Sequence, residues 1–105
     1  MEIKFEKEYL QELYEAGKST DKKYRFQPDV VKKYQARIRT LERASKIEDL
    51  FALNSLHYEV LKGDKNGISS IRVNDRYRLE FKAMQVISET VVTVCSIIEL
   101  SNHYK

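Results

Sequence analysis

The sequence predicts an α+β protein in which two N-terminal helices pack on a small antiparallel β-sheet. Three observations carry this expectation. Apolar residues recur with a period of about 3.6 up to residue 56 and with a period of about two beyond it. The run from Val91 to Ile98 is apolar on both faces, which suits a central strand covered on each side. The length of 105 residues, 42% of them hydrophobic, fits one domain over 1–105 with one modest core.

Each element has a local reason. Met1–Phe5 alternates Ile3 and Phe5 against Glu2 and Lys4, a short strand. Glu6–Ala16 reads as a helix with Tyr9, Leu10, Leu13 and Tyr14 on one stripe, and Gly17 is placed to end it. Lys18–Gln27 is a polar, basic loop. Pro28 opens a second helix that runs to about Ser45, with Val31, Tyr34, Ile38 and Leu41 on its apolar stripe. Ile47–Leu53 is a short helical turn. Strands follow at His57–Lys62, Ile68–Val73, Tyr77–Met84 and Ser88–Leu100. Turns lie at Gly63–Gly67 and Asn74–Arg76.

Composition excludes several classes. No apolar run approaches the roughly 18 residues of a membrane span. The first residues lack the apolar stretch and cleavage site of a secretory signal. Cys95 is the single cysteine, so an internal disulfide and a multi-cysteine zinc site are excluded, and a reducing cytoplasm is the simplest compartment. The two histidines, His57 and His103, lack a third obvious ligand, so no metal is expected. Gly63–Gly67 lacks phosphate-loop spacing and opens no helix. No cofactor is expected.

The net charge of +3 hides a polarised chain. Residues 1–21 carry a net −3, whereas residues 22–46 hold 9 basic and 2 acidic side chains. Such a basic segment attracts polyanions, RNA and DNA foremost, or it is a solvated helix face.

Register places a second charged group. A three-residue loop, Asn74-Asp75-Arg76, sets Val73 opposite Tyr77 and Ile71 opposite Leu79, so both apolar sets face the core. It also sets Arg72 directly opposite Arg78. Like charges facing across a ladder are destabilising, so an anion is expected there. Glu80 is a diagonal neighbour able to help, and a bound phosphate is the sharper explanation. His57, Glu59 and Lys62 from the preceding strand, and His103 and Tyr104 near the C-terminus, are of the types that RNA cleavage uses. A base takes the 2′-OH proton, cations stabilise the phosphate, and an acid protonates the leaving oxygen. Each also has a plainer reading: Glu59 as a partner of Arg72 or Arg78, His57 as an exposed histidine, His103 as part of a tail, and Cys95 as buried packing.

At Tyr58–Phe81 the sequence resembles the central segment of the RelE/ParE toxin superfamily, nearest to its HigB-like plasmid-maintenance killer branch. The carriers are Leu61-Lys62-Gly63-Asp64, then Ser70-Ile71-Arg72-Val73-Asn74-Asp75, then Tyr77-Arg78. The resemblance implies the RelE-like microbial RNase fold and a toxin of a type II toxin–antitoxin pair. Many such toxins are metal-independent endoribonucleases that cut mRNA in the ribosomal A site. By position, Glu59 falls where members carry a glutamate or histidine base, which leaves the choice between Glu59 and His57 open. Arg72 and Arg78 fall where arginines hold the scissile phosphate. Lys62 falls at an RNA-contacting lysine, and Arg76 beside it in role. His103 matches a C-terminal acid, and Tyr104 a neighbouring tyrosine that stacks on or orients a base. HigB-like proteins often end in Asp-Tyr-His; here Ser101-Asn102-His103 stands instead. Lys32, Lys33, Arg37, Arg39 and Arg43 would bind ribosomal RNA phosphates. The implied partners are the ribosome with its mRNA and a helix-turn-helix antitoxin, with operator DNA reached only through the antitoxin complex. A gyrase-inhibiting ParE-like toxin and an inactive, antitoxin-binding member are the alternatives.

Overall fold

The computed structural model describes residues 1–87 and 89–102. Its elements are β1 (Glu2–Phe5), α1 (Glu8–Ala16), α2 (Pro28–Arg43), α3 (Glu48–Phe51), β2 (Glu59–Val60), β3 (Ser69–Arg72), β4 (Tyr77–Ile87) and β5 (Val91–Asn102). The five strands form one sheet in the order β1-β5-β4-β3-β2. The α+β class with two N-terminal helices is as the periodicity predicts. The sheet is mixed rather than wholly antiparallel, because β1 runs parallel to β5, with Ile3 beside Cys95 and Phe5 beside Ile97.

Boundaries shift where a backbone group finds another partner. Helix α1 starts at Glu8 rather than Glu6, since the Glu6 N–H still pairs with the Ile97 carbonyl at 2.8 Å. Gly17 ends it in the left-handed conformation at φ 77°, a geometry glycine adopts without a Cβ clash. Helix α2 stops at Arg43. Beyond it the Ser45 and Lys46 N–H groups turn to the Asp49 carboxylate at 2.8 and 3.3 Å, which ties the connecting chain to α3. The strand expected over His57–Lys62 shrinks to Glu59–Val60, because His57 adopts a positive φ of 46° and breaks the extended run.

The core lies between the helices and one face of the sheet. Leu10, Leu13, Tyr34, Ile38 and Leu41 meet Ile71, Leu79, Phe81 and Ile97 there, all buried. Among the described residues, buried side-chain polar atoms all have partners. The Tyr34 hydroxyl donates to the Leu10 carbonyl at 2.6 Å, and Gln35 Nε2 donates to the Leu13 carbonyl at 3.0 Å at the end of α1. A register shift at Glu80/Phe81 marks a bulge between β4 and β5. Past the end of β1, the Leu100 N–H on β5 finds the Tyr9 hydroxyl at 3.2 Å instead of a strand.

Strand β5 is interior, between β1 and β4, but the middle place predicted for it belongs to β4, and it is not covered on both faces throughout. It runs past β1 together with β4, and Met84, Val86, Ile87 and Val91 are exposed on that projecting ribbon. Cys95 is fully buried, as its apolar neighbours imply.

Candidate active site

The three-residue loop forms as the alternation requires. Asn74 Oδ1 accepts from the N–H groups of Arg76 and Tyr77 at 2.9 and 2.8 Å, which closes the turn through a side chain. Ile71 then pairs with Leu79, and Arg72 with Arg78. Opposed residues on a sheet share a face. Glu59 opposite Ser70, and Ser70 opposite Glu80, therefore join the two arginines on the face turned away from the core.

The two arginines are held very differently. Arg78 is 12% exposed along its side chain. Its Nε donates to Ser70 Oγ at 2.9 Å, and its Nη2 donates to the carbonyls of His57 at 2.6 Å and Ser70 at 3.3 Å. Glu59 lies 3.4 Å from Arg78 Nε. A guanidinium so far out of water needs these partners, since each unmet donor carries a desolvation cost. His57 serves through its backbone: its left-handed turn is costly for a residue with a Cβ, and the charge-assisted bond to Arg78 offsets that cost. Arg72 is 39% exposed and pairs with Asp75, which is 88% exposed. An ion pair this solvated contributes about 1 kcal/mol at most, so the Arg72 guanidinium is loosely held.

Glu80 does not offset the arginine pair as its diagonal position predicts. It is 6% exposed, and Lys65 reaches over it with Nζ at 3.1 and 2.9 Å from its two carboxylate oxygens. Asp75 and Glu59 supply the anions instead. Lys65 stands in a short helical turn, Gly63–Lys65, and joins the polar face; Lys62, just before that turn, is exposed. Sequence reasoning missed Lys65, Ser70 and Asp75. Ser70 was within reach of the register argument, for it is the residue that faces both Glu59 and Glu80.

The basic helix divides. Lys32, Lys33, Arg39 and Arg43 are exposed. Arg37 is half-buried and its Nε donates to the Arg72 carbonyl at 2.9 Å, so it braces β3 against α2 rather than facing solvent freely. Arg76 is exposed and lines a separate cleft together with Lys33. His103 and Tyr104 lie outside the described residues; β5 is described as far as Ser101, opposite Arg78, and Asn102, opposite Tyr77. Among the described residues no group of three His, Cys, Asp or Glu side chains is placed to hold a metal ion, and no helix is long and apolar enough to cross a membrane.

What the polar face offers is a carboxylate, a locked arginine beside it, and a second arginine that is loosely held. The YoeB/ParE toxin from Agrobacterium tumefaciens superposes with a TM-score of 0.59 at 23% identity, over 99% of this chain and 100% of that one, and so shares the fold. A family model described as the RelE-like toxin of type II toxin–antitoxin system HigB matches residues 3–94. The chain belongs to that family of HigB-like toxins. Comparison with curated protein sequences gave no significant match. A type II toxin implies a cognate antitoxin as partner.

Proposed function

We propose that the protein, as one toxin domain over 1–105, is a ribosome-dependent mRNA endonuclease that arrests translation in the cytoplasm. The observation that carries this reading is the Glu59 carboxylate held 3.4 Å from the buried Arg78, with the more exposed Arg72 directly opposite on the same sheet face. Glu59 is the base: its carboxylate is on that face, half-exposed, and 3.4 Å from Arg78 Nε. It takes the proton of the ribose 2′-OH. The freed oxygen attacks the adjacent phosphorus, and Arg72 leaves Asp75 to stabilise the charge on the phosphoryl oxygens. The bond to the 5′-oxygen breaks, His103 gives that oxygen its proton, and Tyr104 orients a base. The ends are a 2′,3′-cyclic phosphate and a 5′-hydroxyl, so the substrate supplies its own nucleophile.

Lys62 and the exposed Lys32, Lys33, Arg39 and Arg43 meet RNA phosphates, so docking weakens steeply with salt. A helix-turn-helix antitoxin neutralises the toxin by covering the polar face and carries the operator contacts. The test is purified chain added to ribosomes programmed with a defined mRNA, with naked mRNA alongside. Cleavage confined to the ribosome-bound message, at the codon in the A site, is expected. Intact message at stoichiometric toxin overturns the reading, and loss of gyrase supercoiling in a parallel assay would replace it with the gyrase-directed one.

A further inference from the structure

A second cationic site lies off the polar face. A cleft of about 460 Å³ opens between residues 25–33, which lead into and begin α2, and the turn that joins β3 to β4. Arg25, Lys33 and Arg76 all line it. Among the described residues none of these three side chains has a hydrogen-bond or ion-pair partner. The two acids at the cleft do not neutralise them: Asp75 is paired with Arg72, and Asp29 sits in the first turn of α2, where a carboxylate favours the helix N-terminus. Three cations without side-chain partners, drawn from the two segments, line one cleft, and an anion between them would offset their mutual repulsion.

The cleft also has an aromatic wall. Phe26 and Tyr77 line it and meet edge to face, with ring centroids 5.4 Å apart at 78°. Cations that grip a phosphate beside aromatic rings that hold a base are the two elements of single-stranded nucleic-acid recognition. The volume is within the range of small-ligand sites, typically about 300–1,000 Å³. An acidic peptide would use the cations alone, whereas a nucleotide uses both the cations and the two rings, which also pack against the core.

We propose that this cleft is a nucleotide subsite: it takes one nucleotide of single-stranded RNA, phosphate toward Arg25, Lys33 and Arg76, base against Phe26 and Tyr77. The choice of RNA rests on the nuclease reading above. Asp75 links the two places, since it lines the cleft and also holds Arg72.

The experiment uses isotope-labelled full-length chain followed by amide shifts. It is titrated in turn with adenosine 5′-monophosphate, inorganic phosphate, a 2′-O-methyl RNA tetranucleotide that cannot be cut, and an acidic peptide of matched charge. Saturable shifts at residues 25–33 and 74–77 are expected with the monophosphate and, more tightly, with the tetranucleotide. The double variant Arg25→Glu/Arg76→Glu, at two exposed positions, lowers that affinity by about tenfold or more. Phe26→Leu, which keeps bulk, brings the monophosphate down to the affinity of inorganic phosphate. Cleft residues that stay unshifted, or that bind the acidic peptide more tightly than the RNA, overturn the proposal. On ribosomes, a changed cleavage context in the double variant assigns the nucleotide to mRNA, and a uniform rise in KM assigns it to ribosomal RNA. A chain that binds RNA in the cleft yet leaves message intact defeats the nuclease reading alone; one that cuts message with an unshifted cleft defeats the subsite alone.

Discussion

Strands β3 and β4 carry two faces that obey different rules. On the inner face, Ile71, Leu79 and Phe81 are fully buried against the helices, and each is held by shape and burial. On the outer face, Arg72, Arg78, Ser70 and Glu80 are held by named partners, and no buried side-chain polar atom among the described residues lacks one. The inner face is uniform: any large deletion opens a cavity. The outer face is graded. Arg78 is nearly enclosed and Arg72 is open, although the ladder sets them opposite each other. One residue type is thus held in two ways, one arginine braced within the face and the other paired only with an exposed carboxylate.

Substitutions can break this contrast or sharpen it. Phe81→Ala is expected to have the largest effect, a loss of about 3–5 kcal/mol in denaturant unfolding, from lost burial plus the cavity left behind. Arg72→Ala should leave stability within about 0.5 kcal/mol while cleavage on the ribosome falls about 10²–10³-fold. Arg78→Ala should cost about 1–3 kcal/mol as well as activity, since it strands the Ser70 and His57 acceptors. Equal stability of the two arginine variants in urea melts would show that the grading has no energetic meaning.

Alkaline pH probes the core against which the inner face packs. Burial pushes the Cys95 thiol up to about 12 from an ordinary 9.0. Burial likewise raises the Tyr9 hydroxyl to about 12 from 10.0, with Glu99 adding to it against the Leu100 hydrogen bond, and raises Tyr34 further still. These groups keep their protons in the folded protein at pH values where the unfolded chain has released them. Stability is therefore unaffected by them below about pH 9 and falls as pH rises toward about 12, by up to about 1.4 kcal/mol per unit for each group. Unfolding midpoints measured from pH 8 to 11 check the slope. The smallest expected effect is at His57. Glycine there relieves the left-handed backbone and should change stability by no more than about 1 kcal/mol with the Arg78 bond intact, whereas His57→Val should destabilise clearly.

Much of the fold was legible because it is written in local periods. The switch near residue 56, Gly17 at the end of α1, Pro28 at the start of α2 and the loop 74–76 all follow from backbone preference and alternation. The pairing of Arg72 with Arg78 followed from the same alternation. Other features depend on which segments become neighbours. The parallel partner of β1 requires knowing that β5 lies next to it. The short β2 reflects a His57 carbonyl aimed at Arg78, and Arg37 binds a carbonyl 35 residues away. The meeting of Lys65 with Glu80 depends on how the turn at Gly63–Lys65 folds back.

By itself the sequence determined the α+β class, the inward-facing apolar residues, and which charged residues share an outer face. These are set within a few residues by the 3.6 and 2.0 periods of the backbone. Only the tertiary structure decided which charge meets which. It made Arg78 an internal brace and left Arg72 open, gave Glu80 to Lys65, and brought Arg25, Lys33 and Arg76 around one cleft. The reason is physical. A long cationic side chain has no period of its own; its partner is chosen by burial and by whatever acceptors the packed chain brings within reach.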